Sequence, residues 1–150
     1  MREHGDAVWR LAFAALSSRE DAEDVYQQVF LQWYSFGRSG LPQADERREL
    51  LRITANCCFE LKNYNKHREV EELTASLPST EPGSDADMLL GAMVHLSKAM
   101  RTVLYLHYFE HYEPKEIARI TGEKPATVRS RLSRARAELR RELEGHGHVE

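Results

Sequence analysis

The chain has 150 residues, 41% apolar and 30% charged, which suits one compact domain or two small ones and excludes a disordered chain. Its 21 basic and 24 acidic residues leave a net charge of −3, which taken alone disfavours a polyanion-binding surface. The average conceals an asymmetry, because Glu113 to Arg141 holds nine Lys/Arg against four Asp/Glu, whereas residues 1–112 hold 12 against 17. A polyanion partner is therefore to be sought at the basic C-terminal stretch. No apolar run approaches the ~20 residues of a membrane span. The start, MREHGDAVWRLA, lacks the basic opening and long apolar core of an export signal, so the expected compartment is the cytoplasm. Cys57 and Cys58 are adjacent and cannot form a disulfide scaffold, so they read as buried or half-buried thiols.

The hydrophobic period stays near 3.6 along almost the whole chain, which predicts an all-α protein. Val8, Leu11, Ala12, Ala15 and Leu16 form the stripe of a first helix. Ser18, with Asp21 three residues on, reads as the N-cap of a second, whose inward stripe is Ala22, Val25, Tyr26, Val29, Phe30 and Trp33. The segment from Phe36 to Pro42 breaks it with Gly37, Gly40 and Pro42. A third helix is predicted from about Glu46 to about Asn63, with Leu50, Ile53, Thr54, Cys57 and Leu61 inward. The acidic stretch EVEELTASLPSTEPGSDAD then loses the period and reads as a flexible linker over 69–87, between domains at 1–68 and 88–144 with a tail at 145–150. Beyond it, Leu89, Ala92, Met93 and Leu96 mark one helix. Met100, Val103, Leu104, His107 and Tyr108 mark the next.

A short helix from Pro114 to about Thr121, a turn containing Gly122, and a basic helix opened by Pro125 complete a helix-turn-helix pattern. At ~100° per residue, Val128, Leu132, Ala135 and Leu139 fall on one face of the last helix. Ala126, Ser130, Ser133, Arg134 and Ala137 lie opposite, with Arg129, Arg131, Arg136 and Arg140 on the flanks. Small outer side chains allow close approach to a groove, so Ser130, Ser133 and Arg134 are candidates for base edges. Arg129, Arg131, Arg136 and Lys124 are candidates for phosphates.

Three runs carry a family resemblance. Glu116 to Gly122 followed by Ala126 to Arg136 resembles the second conserved domain of extracytoplasmic-function (ECF) sigma factors, promoter-specificity subunits of bacterial RNA polymerase. Arg19-Glu20-Asp21-Ala22-Glu23-Asp24-Val25-Tyr26-Gln27-Gln28-Val29-Phe30 resembles their polymerase-binding helix, and Leu51-Arg52-Ile53-Thr54-Ala55-Asn56 their promoter-melting helix. The resemblance implies a first domain that docks on the beta-prime clamp of RNA polymerase core and handles the minus-ten element, and a second that meets the beta flap and reads the minus-thirty-five duplex. It implies promoter DNA as a partner, a cognate anti-sigma factor as a further one, and no cofactor, resident metal or catalytic residue. Carried onto this chain, it points to Arg129, Ser130, Ser133 and Arg134 in the major groove, with Lys124, Thr127, Arg131 and Arg136 beside them.

Beside the core stripe of the second helix run Asp21, Asp24, Gln28, Leu31 and Ser35, a carboxylate-amide-leucine row suited to a basic partner helix. With the resemblance, Asp21, Asp24, Gln28 and Leu31 become the expected polymerase contacts. Arg47, Arg48, Arg52 and Asn56, with Lys62, Lys66 and Arg68, are expected to track single-stranded phosphates near minus ten. The chain departs from the family pattern at Leu50, where a tryptophan is usual, and at Glu123 and Lys124, where an apolar residue and a Ser or Thr N-cap are usual. His107 and His111 have chelating spacing on a helix but no intervening general base, and read as partly buried histidines. Two other classes fit fewer features: a helix-turn-helix regulator acting without polymerase, recognisable by palindromic sites and a stable dimer, and a sigma-like chain that sequesters an anti-sigma factor or the clamp, recognisable by polymerase binding without promoter opening.

Overall fold

The computed structural model describes residues 2–36, 42–61, 93 and 95–147, and among them all regular structure is helical. Three helices make the first half: α1 (Arg2–Leu16), α2 (Arg19–Phe36) and α3 (Gln43–Glu60). The second half holds α4 (Lys98–Leu104), which runs on into a π-helical turn (Tyr105–Phe109), then α5 (Pro114–Thr121) and α6 (Pro125–Gly147). The predicted linker, with Asn63, Leu89 and Ala92, lies outside the described residues.

Local side chains open two of these helices, and α3 begins and ends about three residues before the predicted bounds. The Ser18 hydroxyl accepts a hydrogen bond from the Asp21 amide at 3.3 Å, opening α2. Ser97 does the same for Met100 at 3.2 Å, opening α4. Ala22, Val25, Val29 and Trp33 of α2 pack against Val8, Ala12, Leu50 and Ile53, with Tyr26 and Phe30 half-buried at the margin. Trp9 meets Phe13 and Tyr26 edge-on, at centroid distances of 5.7 and 6.2 Å. A Cβ at Gly5 would stand 2.9 Å from the Tyr26 hydroxyl, so a larger residue there would push the tip of that ring aside.

In α3 the apolar surface is wider than one stripe. Leu50, Ile53, Thr54 and Cys57 are buried as predicted, and so are Leu51, Ala55 and Cys58. Ala7, Leu11 and Ala14 of α1, with Leu51 and Ala55 of α3, join one core with Val103, Leu104, Tyr105, Ile117, Val128 and Leu132 of the second half. The two halves thus pack directly on each other, α4 against α1 and α5 against α3. Burying a leucine such as Leu51 contributes ~1.5–3 kcal/mol to that junction.

Two cations bolt it. The Lys98 ammonium donates to the carbonyls of Cys58 and Leu61, at 2.8 and 2.7 Å, and so caps the C-terminus of α3. The Arg101 guanidinium, 4% exposed, donates twice to the Ala15 carbonyl at the end of α1, at 2.6 and 3.2 Å, and once to Leu96 O at 2.6 Å. Both satisfy orphan carbonyls at the negative end of a helix dipole. Burial pulls the Lys98 ammonium below its ordinary value, against the pull of nearby negative groups.

The π turn changes which residues face inward. Period 3.6 from Val103 and Leu104 would turn His107 and Tyr108 to the core. The added residue in the turn instead buries Tyr105 and Leu106, half-buries His107 and leaves Tyr108 40% exposed. His111 lies beyond the end of this turn with φ +63° and is exposed, so it is neither on the helix nor partly buried as expected. His107 Nδ1 sits 2.9 Å from the Tyr112 carbonyl.

Candidate nucleic-acid interface

The C-terminal helix pair is built around Gly122. α5 ends there with φ +78°, and the amides of Gly122 and Glu123 both donate to Ala118 O, at 2.8 and 3.0 Å. The chain then enters α6 at Pro125, whose missing N–H falls where no intrahelical partner exists. Val128, Leu132, Ala135 and Leu139 are buried against α4 and α5. That anchoring turns the opposite face outward: Ala126, Thr127, Arg129, Ser130, Ser133, Arg134 and Ala137 are all exposed, as is Lys124 in the turn.

The flanking arginines are not equivalent. Arg131 is half-buried and paired with Glu123. Arg136 donates through Nε to the Tyr108 hydroxyl at 2.6 Å, with its guanidinium carbon 5.8 Å from that ring's centroid. Glu123, unusual at its position, thus occupies Arg131, while Tyr108, brought to the surface by the π turn, fixes Arg136. The outward set of Arg129, Ser130, Ser133 and Arg134 forms a cationic strip with small hydroxyls at its centre, the chemistry a major groove accepts.

The arginines of α3 stand differently. Arg47 donates to Glu110 Oε1 through Nε at 2.8 Å and Nη2 at 2.7 Å, and its Nη1 lies 3.4 Å from His4 Nδ1. The Tyr105 hydroxyl donates to the other oxygen of Glu110 at 2.8 Å, and burial together with that carboxylate pushes the phenol well above its ordinary value. Arg48 lies 3.3 Å from Asp45 and 3.6 Å from Glu116. Arg52 holds Glu49 through Nε and Nη2, at 3.1 and 2.5 Å; the hydrogen bond raises its guanidinium above the ordinary value while burial opposes it. Asn56, on the same face, is exposed. Lys62, Lys66 and Arg68 lie outside the described residues.

On α2, Asp24, Gln28 and Leu31 are exposed and Asp21 is half-buried near the N-terminus of the helix. Leu31 is 68% exposed, and so is Tyr34, one turn on, which sequence reasoning passed over although i,i+3 spacing places it beside Leu31. Two large apolar side chains next to carboxylates and amides make a surface suited to a protein partner.

Known proteins resemble this chain over most of its length. Residues 86–139 match the family "Sigma-70, region 4". The RNA polymerase sigma-E factor of Streptomyces antibioticus is 34% identical over 154 residues, covering 96% of this chain and 82% of its own length. The chain belongs to the ECF sigma factors of RNA polymerase. The ECF sigma factor SigE of Mycolicibacterium smegmatis is 30% identical over 157 residues, and this chain spans 61% of its length. The sigma factor RpoE of Bartonella quintana, solved with the anti-sigma factor NepR, shares the fold at a TM-score of 0.73 and 23% identity, over 93% of this chain and 91% of that one. Among the described residues of this sigma factor, no helix is long and apolar enough to cross a membrane.

Proposed function

We propose that this sigma factor binds core RNA polymerase in the cytoplasm and directs it to a class of promoters, the polymerase supplying all the chemistry. In this reading residues 1–68 dock on the beta-prime clamp and handle minus ten, 69–87 link, and 88–144 meet the beta flap and read minus thirty-five ahead of a tail at 145–150. The outer face of α6 carries the reading: Arg129, Ser130, Ser133 and Arg134 are exposed together on a helix held from behind by four buried apolar residues. Asp24, Gln28 and Leu31 of α2 supply the polymerase contacts, with Tyr34 extending the apolar patch and Asp21 beside it. Lys124 and Thr127 stand at the entry of α6 where strand phosphates pass. Arg47, Arg48, Arg52 and Asn56 serve the melted strand, with Lys62 and Lys66.

The test is transcription with purified core polymerase on fragmented genomic DNA, transcript starts being read by sequencing. Discrete starts sharing upstream motifs are expected, and Leu31→Asp should abolish both co-purification with core and transcription. Failure of the wild-type chain to bind core and to yield any transcript would overturn the reading. A pull-down with this sigma factor as bait tests for a cognate anti-sigma factor, whose addition should suppress those transcripts.

A further inference from the structure

Among the described residues of the second half, Tyr108 is the only large apolar side chain left exposed, and the function proposed above gives it no task. The π turn puts it there. The Glu110 amide donates to Tyr105 O, five residues back, at 3.2 Å, and the wider turn rotates Tyr108 off the core. Its hydroxyl then accepts from Arg136 Nε at 2.6 Å, with the guanidinium carbon 5.8 Å from the ring centroid. This contact uses only the Nε–H. Both Nη groups of Arg136, and the proton of the phenol itself, have no protein acceptor among the described residues. A phenol is a different tether from the one on Arg131. The Glu123 carboxylate holds Arg131 and offsets its charge, whereas the neutral phenol holds Arg136 and leaves its charge whole. Glu144, the only carboxylate lining the adjoining groove, stands about two turns beyond Arg136 and forms no ion pair with it. Arg136 also follows Arg129 by seven residues, two turns further along the same side of α6, so its free Nη groups continue the exposed cationic strip.

We infer that Tyr108 is a positioning residue for DNA binding: its hydroxyl holds the Arg136 guanidinium beside α6 so that the Nη groups meet a backbone phosphate of the duplex. The inference rests on the proposed reading of duplex DNA by α6. A free arginine side chain loses its rotamer freedom when it docks on a phosphate. Tyr108 imposes that loss when the protein folds, so the phosphate meets a donor already in place. The π turn thereby acquires a purpose, since a regular helix would bury the tyrosine and leave Arg136 without its tether.

The experiment uses the full chain and two fluorescent duplexes, one carrying the upstream motif of its transcript starts and one of scrambled sequence, because a phosphate contact is blind to sequence. Tyr108→Phe keeps the ring and removes only the tether. It should weaken binding to both duplexes about fivefold. The slope of log K against log salt should stay unchanged, since the charge of Arg136 remains. Arg136→Ala should weaken binding further and reduce that slope by ~0.9. Arg136→Lys keeps the charge but lacks separate edges for phenol and phosphate, so it should lose affinity with the slope preserved. Adding Tyr108→Phe to Arg136→Ala should cost nothing more, which distinguishes a tyrosine acting through Arg136 from a merely structural one. Urea midpoints are measured for each variant.

Wild-type affinity in a Tyr108→Phe variant of unchanged urea midpoint overturns the positioning role. An undiminished loss on the Arg136→Ala background does the same, because the tyrosine then acts on something else. If the midpoint of Tyr108→Phe falls, Arg136→Lys decides, since it leaves the tyrosine in place, and binding as tight as wild type overturns the role. Arg134→Ala separates the two levels. Loss at Arg134 with none at Tyr108 or Arg136 removes only the tethered phosphate contact, whereas no loss at any of the three removes the reading of DNA by α6.

Discussion

The exposed strip of α6 and the arginine row of α3 are both basic, yet they differ in what surrounds each cation. In α3, Asp45, Glu46 and Glu49 are interleaved with Arg47, Arg48 and Arg52, and Glu110 and Glu116 arrive from the other half. On the outer face of α6, Arg129 and Arg134 project beside Ser130 and Ser133, and the acidic Glu123 is spent on Arg131. The count of arginines, three in α3 and six in α6, says nothing of how each cation is engaged. Their partners separate them into a surface ready for a polyanion and one already neutralised.

The largest expected effect breaks the junction that creates the difference. Arg101→Met would strand the Ala15 and Leu96 carbonyls in a buried site, at a loss of about 3 kcal/mol. Urea unfolding followed by circular dichroism measures it. If the junction is what pairs the α3 arginines, the variant should also expose α3 to hydrogen exchange before α6.

Next comes the face that is already open. Arg134→Ala should weaken binding to a minus-thirty-five duplex by ~1–3 kcal/mol and relax sequence preference, because a guanidinium on a base edge is lost. Arg131→Ala should do far less, since that side chain is half-buried and engaged with Glu123. Fluorescence anisotropy on matched and scrambled duplexes distinguishes the two. Equal losses would remove the distinction between free and engaged arginines on α6.

How much of this was legible depended on the range of the interactions. Ser18, Gly122, Pro125 and the apolar stripe of α6 act within a turn or two, and each reads correctly from local spacing. The junction did not read, because its signals are ambiguous locally. Ala7, Ala14 and Ala55 are too small to mark a face, and Lys98 and Arg101 look like solvent-exposed charge until their carbonyl acceptors are seen. The width of the stripes held the clue: Leu11 to Leu16 is an unbroken apolar run, and the adjacent pairs Leu50-Leu51 and Cys57-Cys58 cannot share one face of a helix. The π turn had no such sign, and it misplaced Tyr108 and His111. Site residues on α6 were readable because outwardness follows from anchoring. Those on α3 needed partners more than sixty positions away.

A pH series tests the buried side of the comparison. Burial and Glu110 hold the Tyr105 phenol above its ordinary 10.0, and burial does the same to the Cys58 thiol above its ordinary 9.0. The unfolded chain releases both protons at those ordinary values while the folded chain keeps them. Their stabilising contribution is therefore complete below pH 9.0 and lost as pH rises past 9.0 and then 10.0, at no more than about 1.4 kcal/mol per pH unit for each group. Tyr105→Phe should flatten the upper part of that decline in urea unfolding, and an unaltered slope would show the phenol to be reachable by hydroxide without unfolding.

The smallest effect sharpens the comparison from the other direction. Glu123→Gln removes the carboxylate that engages Arg131 and should make α6 resemble a fully open face. The pair is about three-quarters buried on both sides, but it stands at the surface of the turn, so its loss should alter stability by less than ~1 kcal/mol. The informative readout is the salt dependence of duplex binding. One more arginine free to neutralise a phosphate releases about one more counterion, so the slope of log K against log salt should steepen by ~0.9. A steeper slope would show that Glu123 governs how open this basic face is, and an unchanged slope that Arg131 stays engaged without it.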